Sequence, residues 1–572
     1  MLNTKKSITM KILNIKAIIL LLIIATISSC ENYLDPGYDE TLTESDVFSS
    51  YVYSLNYVRR IYSYLPTDAY DETYMTDEAK HSDAASSFTV MNNGSWTSRS
   101  YVDSWRWSHY YAGIRRVHIF LDNVDEAMFL DPNTFKLTPN INDTIRKQLR
   151  AEARFLRAFY YFELLKRFGD PTNNLGVPIV PEKVLTINDT IDFARDTYDD
   201  CVSYIINDCD SAAAVLPNRQ VGSDYGKASK AAALALKSRL LLYVASPLSN
   251  PSGDVEKWEA AAKAAQAVLK LPTYKLIDKT AVAADNMLSV FTKPNNDEVL
   301  FSSPVIQTNN FEANNLPPSF GGRGSINPSQ DLVDAFETIL GYPITDSKSG
   351  YRPHDPYYRR EKRLGFFIAI NGSAIGKTGI AEIFDGGKDG LNSSTNATKT
   401  GYYIRKFVDP NADILLNRTI ATHFWVHFRY AEALLNYAEA MVEAYGVTTI
   451  PEGYTLSGYD AFKLIRDRAG LTTPAYIKAL PKEEFIEKVR NERRVELCFE
   501  GHRFWDVRRW KQGELYFNAP IHGMKISKVD NTLTYDVFEV EDRVFDTKMY
   551  AMPLPYDEMQ KSKLLTQNEG WE

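Results

Sequence analysis

The sequence predicts a mainly α chain of the α+β kind, in which helix pairs carry a loop-rich insertion with short strands. Three observations predict it. Apolar residues recur at helical spacing through most of the chain, small residues hold regular places on several of those helices, and one central stretch loses the periodicity and fills with Gly, Asn, Pro and Ser. The 572 residues are 44% hydrophobic and 12% aromatic with only 29 Gly and 26 Pro, which excludes a disordered or proline-rich chain and allows a sizeable core. Lys and Arg number 65 against 73 Asp and Glu, a net charge of -8, so the basic excess that displaces counterions from nucleic acid is missing and no nucleic-acid partner is expected.

Taken in order, the chain opens with a secretion signal. Lys5, Lys6, Lys11 and Lys16 precede an apolar run from Ala17 to Ile27, broken only by Thr26. That run is about half of the ~20 residues needed to span a bilayer, which makes it a signal-peptide core over residues 1–29 rather than a transmembrane helix. Ile27-Ser28-Ser29-Cys30 resembles the lipobox of bacterial lipoproteins, which makes Cys30 the acylated mature N-terminus and gives the chain a membrane anchor. Removing residues 1–29 with their four lysines takes the net charge from -8 to -12. Cys201, Cys209 and Cys498 are expected to be buried small hydrophobes, since two cysteines eight residues apart on a helix lie ~12 Å apart along its axis, beyond disulfide reach.

Amphipathic helices are predicted near 44–64, 103–129, 142–168, 194–215, 227–246, 254–271, 422–446, 457–468 and 482–499. The mature chain is expected to form one domain over residues 30–572, with helical pairs about 44–271 and 422–510. Ala151, Phe155 and Ala158, and again Ala431, Leu435 and Ala438, set small residues beside large ones at a spacing that lets a second helix approach closely, as in tetratricopeptide hairpins. The stretch Trp258 to Pro272 has the same character, but the intervals are uneven, so insertions must interrupt the pairs. From about 272 to 421 the pattern becomes loop-rich, with short extended runs at Val299 to Phe301, Leu364 to Ile370 and Tyr402 to Phe407. A C-terminal strand, at Tyr550 to Leu554, and a tail are expected within 511–572. Loops carried on a helical scaffold are where binding residues tend to lie.

Few motifs offer catalysis. Gly372 to Thr378 resembles a phosphate loop but has three residues between its glycines where four are needed, and no helix pattern follows. His423 and His427 would share a helical face, yet no Glu or third ligand accompanies them. Asp385 and Asp389 lie in a Gly-rich turn that lacks the later bidentate acid of a calcium loop. No metal or cofactor is therefore expected. Glu492, Glu496 and Glu500 line one helical face, as the carboxylates of a glycoside hydrolase could, but five arginines are interleaved with them, and Arg beside a carboxylate lowers its pKa and spoils a general acid. A structural ion-pair cluster is the favoured reading, and no enzyme is expected.

For binding, Trp96 stands in a Gly, Ser and Asn stretch, where its indole could stack on the C–H face of a sugar while Asn92 and Asn93 offer amides to the hydroxyls. A Trp folded inward is the competing reading. Phe311 and Phe320, the latter near Arg323, are further aromatics on polar loops.

Six segments together resemble the SusD/RagB family of outer-membrane nutrient-binding lipoproteins. They are CENYLDPG with TESDVF, AEARFLRAFYYFELLKRFGDP at 151–171, KASKAAALALKSRLLLYVASP at 227–247, FRYAEALLNYAEAMVEA at 428–444, NERRVELCFEGHRFWDVRRW at 491–510, and the tail MPLPYDEMQKSKLLTQNEGW. Two places depart from the family pattern: His118 replaces an Asn, and 360–363 reads Arg-Glu-Lys-Arg in place of Arg-Asp-Pro-Arg. The resemblance implies tetratricopeptide-like helix pairs cradling a loop-rich region, a glycan ligand bound without catalysis, and a lipid-anchored place on the outer membrane facing the exterior. It also implies a partner, a SusC-like TonB-dependent transporter on which the protein sits as a lid. The family's binding aromatics point to Trp96 and to Phe311 or Phe320. Two other readings stay open at this stage, a tetratricopeptide scaffold binding envelope proteins or peptides, and a glycoside hydrolase using the 492–500 carboxylates.

Overall fold

The computed structural model describes residues 43–572 apart from 84, 130–135, 137–138, 187, 190, 278–284 and 377–378. The signal segment and Cys30 lie outside the described residues. Ten principal helices organise the chain: α1 (Tyr51–Tyr62), α2 (Arg106–Asn123), α3 (Pro139–Phe168), α4 (Tyr198–Val215), α5 (Lys230–Ala245), α6 (Val255–Leu269), α7 (Tyr430–Tyr445), α8 (Gly458–Ala469), α9 (Lys482–Glu496) and α10 (Arg503–Arg509). From α2 to α8 each packs on the next, and α6 joins α7 directly although about 160 residues separate them in sequence.

Local chemistry explains where several of these helices begin. Thr197, Ser229 and Asp254 accept backbone N–H groups at the starts of α4, α5 and α6, and Ser457 with Asp460 forms a capping box at α8. On α3 the run Phe155 to Phe162 buries five aromatic rings almost completely. Gly113 on α2 lies against Tyr160, where an added Cβ would stand 3.0 Å from the ring, so the glycine sets how closely α2 and α3 pack. Ala431, Leu435 and Ala438 are likewise fully buried where α7 meets α6. Cys201, Cys209 and Cys498 are buried free thiols, and burial pushes the Cys201 thiol up to about 12.

The insertion between α6 and α7 is held by two-stranded antiparallel pairs. In chain order the strands are β1 (Ala79–His81), β2 (Val299–Ser302), β3 (Ile306–Thr308), β4 (Ile326–Pro328), β5 (Ile368–Ala369), β6 (Ala374–Ile375), β7 (Gly379–Ile380), β8 (Tyr403–Ile404), β9 (Ala421–His423), β10 (Val426–Arg429), β11 (Ile521–Val529) and β12 (Thr532–Glu541). The pairs that shape the site are β1 with β4, β2 with β10, and β3 with β9.

Three expectations are corrected here. Residues 422–429 do not begin α7: they form β9 and β10, because the β-branched and aromatic run HFWVHF pairs with β2 and β3 before the helix opens at Tyr430. Leu364 to Ile370 is a short helix, Lys362–Phe367, followed by β5, since Leu364 and Phe367 bury at helical spacing. Tyr550 to Leu554 is no strand: Pro553 supplies no donor, the N–H of Met552 bonds the Arg167 carbonyl, and that of Leu554 bonds the Gln567 side chain. The C-terminal strands are β11 and β12, a hairpin closed by Asp530 and Asn531 with φ of 48° and 68°.

Candidate functional site

A cleft of about 1160 Å³ opens between the end of α1, the 65–74 segment, β1 and the strand-bearing insertion. Tyr70, at the start of a short helix, lies with its ring 5.4 Å from Phe311, 5.8 Å from Phe407 and 5.2 Å from Trp425, edge-on to the last. Trp425 is fixed by Ser303, whose hydroxyl accepts its N–H at 2.8 Å while its carbonyl accepts the Ser303 N–H at 2.8 Å. On the opposite rim Tyr74, His81 and Phe88 form a second aromatic group, with ring centroids 4.7 to 5.8 Å apart. Tyr70 and Phe88 are partly exposed, whereas Tyr74, Phe311, Phe407 and Trp425 are buried.

The polar groups of the cleft are mixed in sign. Burial raises the pKa of Asp68, opposed by the Tyr70 N–H and the Arg106 charge. Asp71, about a third exposed, is pushed up to about 7 by burial and by Glu72, against the pull of Arg106 at 3.7 Å. Glu312 is fully buried and bonds the His423 ring at 3.0 Å, which locks the β9 end of the cleft. Arg323 is exposed and has no ion-pair partner among the described residues. Asn310, Asn314 and Asn396 add amides. Such a lining can stack against an apolar ring face and hydrogen-bond a row of hydroxyls. Among the described residues no group of three or more His, Cys, Asp and Glu is arranged to hold a metal ion.

Of the ligand-binding candidates named from the sequence, Phe311 and Arg323 line this cleft together, and Trp96, Asn92, Asn93 and Phe320 do not; His423, weighed there as a metal ligand, lines it too. Trp96 is corrected: it is 3% exposed, with Trp571 packed against it at 4.4 Å and a tilt of 45° and Tyr101 at 5.9 Å, so the C-terminal tail covers the ring a sugar would need. Asn92 is buried too, its amide donating to the Tyr74 carbonyl at 3.1 Å. Asn93 is exposed, but its Oδ1 accepts the Ser95 N–H and hydroxyl in a local turn away from the cleft. Phe320 is 6% exposed and packs towards Gly379. Sequence reasoning passed over Tyr70 and Trp425. A signal for Tyr70 was present, in the polar stretch TDAYDET between two helical patterns.

The carboxylates proposed for hydrolysis are committed elsewhere. Glu492, Glu496 and Glu500 are 2%, 1% and 8% exposed. Glu492 meets Arg363 at 2.5 Å and Arg466 at 3.1 Å, Glu496 meets Arg363, Arg429 and Arg468, and Glu500 meets Lys406 at 2.6 Å and Arg429 at 2.7 Å. Burial alone would raise the Glu496 and Glu500 pKa values, but these cations outweigh it and hold both below the usual range. Groups so paired cannot serve as a general acid.

Stacked helix hairpins that hold an open, aromatic-lined cleft beside an inserted loop region define a class of helical proteins with a binding cleft. The chain belongs to the SusD/RagB family: a model described as the SusD family matches residues 287–571, and one described as starch-binding associating with outer membrane matches residues 34–242. It is similar to SusD-like protein P38 of Formosa agariphila, 22% identical over 91% of this chain and 95% of that protein. A SusD-like protein from Bacteroides fragilis superposes with a TM-score of 0.75 at 26% identity, covering 92% of this chain and 98% of that one. A SusD-like carbohydrate binding protein from the same species shares the fold with a TM-score of 0.71 at 23% identity, over 91% of this chain and 100% of that one. No helix among the described residues is long and apolar enough to cross a membrane.

Proposed function

We propose that the chain is a lipid-anchored protein of the outer-membrane surface that captures an oligosaccharide or polysaccharide in the cleft and passes it to a SusC-like TonB-dependent transporter. The observation that carries the reading is the cleft, where the partly exposed rings of Tyr70 and Phe88 stand among amides, carboxyls and Arg323. Family membership agrees with it, and the committed state of Glu492, Glu496 and Glu500 removes the basis for the hydrolase alternative.

The test is a panel of neutral and acidic polysaccharides in gel retardation and calorimetry, with Phe88→Ala and Arg323→Ala. Losing a stacking face should weaken binding at least about tenfold while the melting temperature stays near that of the wild type, because Phe88 is only half-buried and Arg323 is exposed. A neutral glycan should bind almost independently of salt, whereas an acidic one anchored by Arg323 should weaken as salt rises. If no member of the panel is retarded, or both variants bind as the wild type does, the cleft is not a glycan site.

A further inference from the structure

A second concavity, of about 390 Å³, shares no residue with the cleft. It lies between α2, the 178–193 segment and the C-terminal helix Tyr556–Lys561 with the residues after it. Hydrogen bonds tie the segment to the helix and to the C-terminal residues. The Tyr111 hydroxyl donates to the Pro178 carbonyl at 2.8 Å, Arg115 donates to the Leu185 carbonyl at 2.7 Å, and Asp192 accepts the Ser562 hydroxyl at 2.5 Å and the Leu564 N–H at 3.2 Å. Between these ties a concavity remains, lined by Trp107, Tyr111, Val180, Leu185, Ile191 and Phe193 among others. The volume falls within the ~300–1,000 Å³ of small-molecule sites. At the ~30 Å³ of a water in the liquid, it has room for about a dozen non-hydrogen atoms.

Two polar features say what kind of molecule fits. His118 is among the lining residues, is 4% exposed, and its Nε2 has no hydrogen-bond partner. Burial, helped by the Arg157 charge, pushes the ring down to about 4, so at neutral pH it presents a polar atom without charge. The charged residues of the lining are Arg115, Lys183, Lys561 and Glu558. Lys183 lies 3.6 Å from Asp189 and Lys561 2.7 Å from Glu558, which leaves the exposed Arg115 as the lining cation with no carboxylate partner among the described residues. An uncharged body therefore suits the interior, and a negative group suits the mouth.

We propose that this pocket is a second ligand site, for a small amphipathic acid whose aromatic or short aliphatic body enters between α2 and the 178–193 segment while its carboxylate meets Arg115. The site is independent of the cleft and of whatever the cleft binds.

The test uses 4-phenylbutanoate, with 4-phenylbutanol and 4-phenylbutylamine as probes of nearly equal size, in calorimetry on the full mature chain. The acid should bind one-to-one, more tightly than the alcohol, and the amine most weakly. Arg115→Gln should weaken the acid about tenfold more than it weakens the alcohol, as expected for loss of one charge-assisted contact beyond any loosening of the Leu185 tie. Ala112→Phe, which places a ring in the pocket from α2, should abolish binding of all three, with the melting curve showing that the chain remains folded. Because Arg115 is exposed, Arg115→Gln carries the test alone if Ala112→Phe fails to fold. No saturable binding of the acid at about 10 mM, an acid that binds no better than the alcohol, or an acid whose affinity survives Arg115→Gln would each overturn the proposal.

Discussion

An indole on a Gly- and Ser-rich loop can face water or fold inward, and Trp96 folds inward because the last turn of the chain brings Trp571 against it. Its Nε1 has no partner in that position, so the ring contributes through packing and not through a hydrogen bond. Trp96→Ala should therefore cost about 3–5 kcal/mol, while Trp96→Phe, which keeps much of the packing and removes the unpaired N–H, should cost far less. A melting temperature unchanged in Trp96→Ala would show that the ring is not part of the core. The same residue shows why the site was only partly legible. Composition marks a loop, but whether a loop aromatic is covered depends on which distant segment returns to it, and for Trp96 that segment is 475 residues away. Phe311 and Arg323 were found because both stand on one polar stretch, whereas Tyr70 and Trp425 come from stretches 355 residues apart and meet only in the fold.

At the scale of elements, helices were legible because their apolar stripes and caps are local, and every principal helix from α1 to α9 falls on a predicted stretch. The short strands were harder to read, since a two- or four-residue pair is set by its partner. The hairpin β11–β12 had a local signal in its alternating residues around Asp530 and Asn531 that was passed over. A buried ionic cluster ties α7 to α10, and its chemistry gives a pH dependence. Glu439 on α7 bonds Arg509 of α10 at 2.6 and 2.7 Å and the Trp510 indole at 2.7 Å. Burial would raise its pKa, but Arg509 and its neighbours Arg493 and Arg490 hold it at about 2. A carboxylate depressed in the folded state stabilises above its unfolded value near 4.5 and loses that stabilisation as pH falls towards 2, here on the order of 3 kcal/mol. The difference in melting temperature between wild type and Glu439→Gln should thus be large at pH 6 and shrink steadily towards pH 3. A difference that stays constant over that range would mean that Glu439 is not held as a depressed carboxylate. Above pH 5 both chains should lose stability together, because burial raises Glu78 to about 8 and Asp71 to about 7 and both resist ionising, while the difference between the chains stays.

At the scale of the whole molecule, the proposed anchor, Cys30, lies outside the described residues. No helix among the described residues can cross a bilayer, and without residues 1–29 the chain carries a net charge of -12, which gives it no electrostatic hold on an anionic lipid surface. On the proposed reading, retention falls to Cys30. One acyl chain gives only marginal, reversible binding, but several chains on one cysteine, at ~0.8 kcal/mol per buried methylene, give a stable anchor. Wild-type protein should partition into the detergent phase of a phase-separating detergent, and its intact mass should exceed that of the chain from Cys30 by the mass of the acyl groups. Cys30→Ala should move to the aqueous phase with an unchanged melting temperature, because the buried core among the described residues contains none of residues 1–42, and it should bind the same polysaccharides as the wild type, because the cleft lining among the described residues starts at Arg59. An unmodified wild-type mass, or a Cys30→Ala chain that still follows the detergent, would remove the anchor. The cleft would then belong to a protein free to leave the surface, which would weaken the case for handover to a transporter.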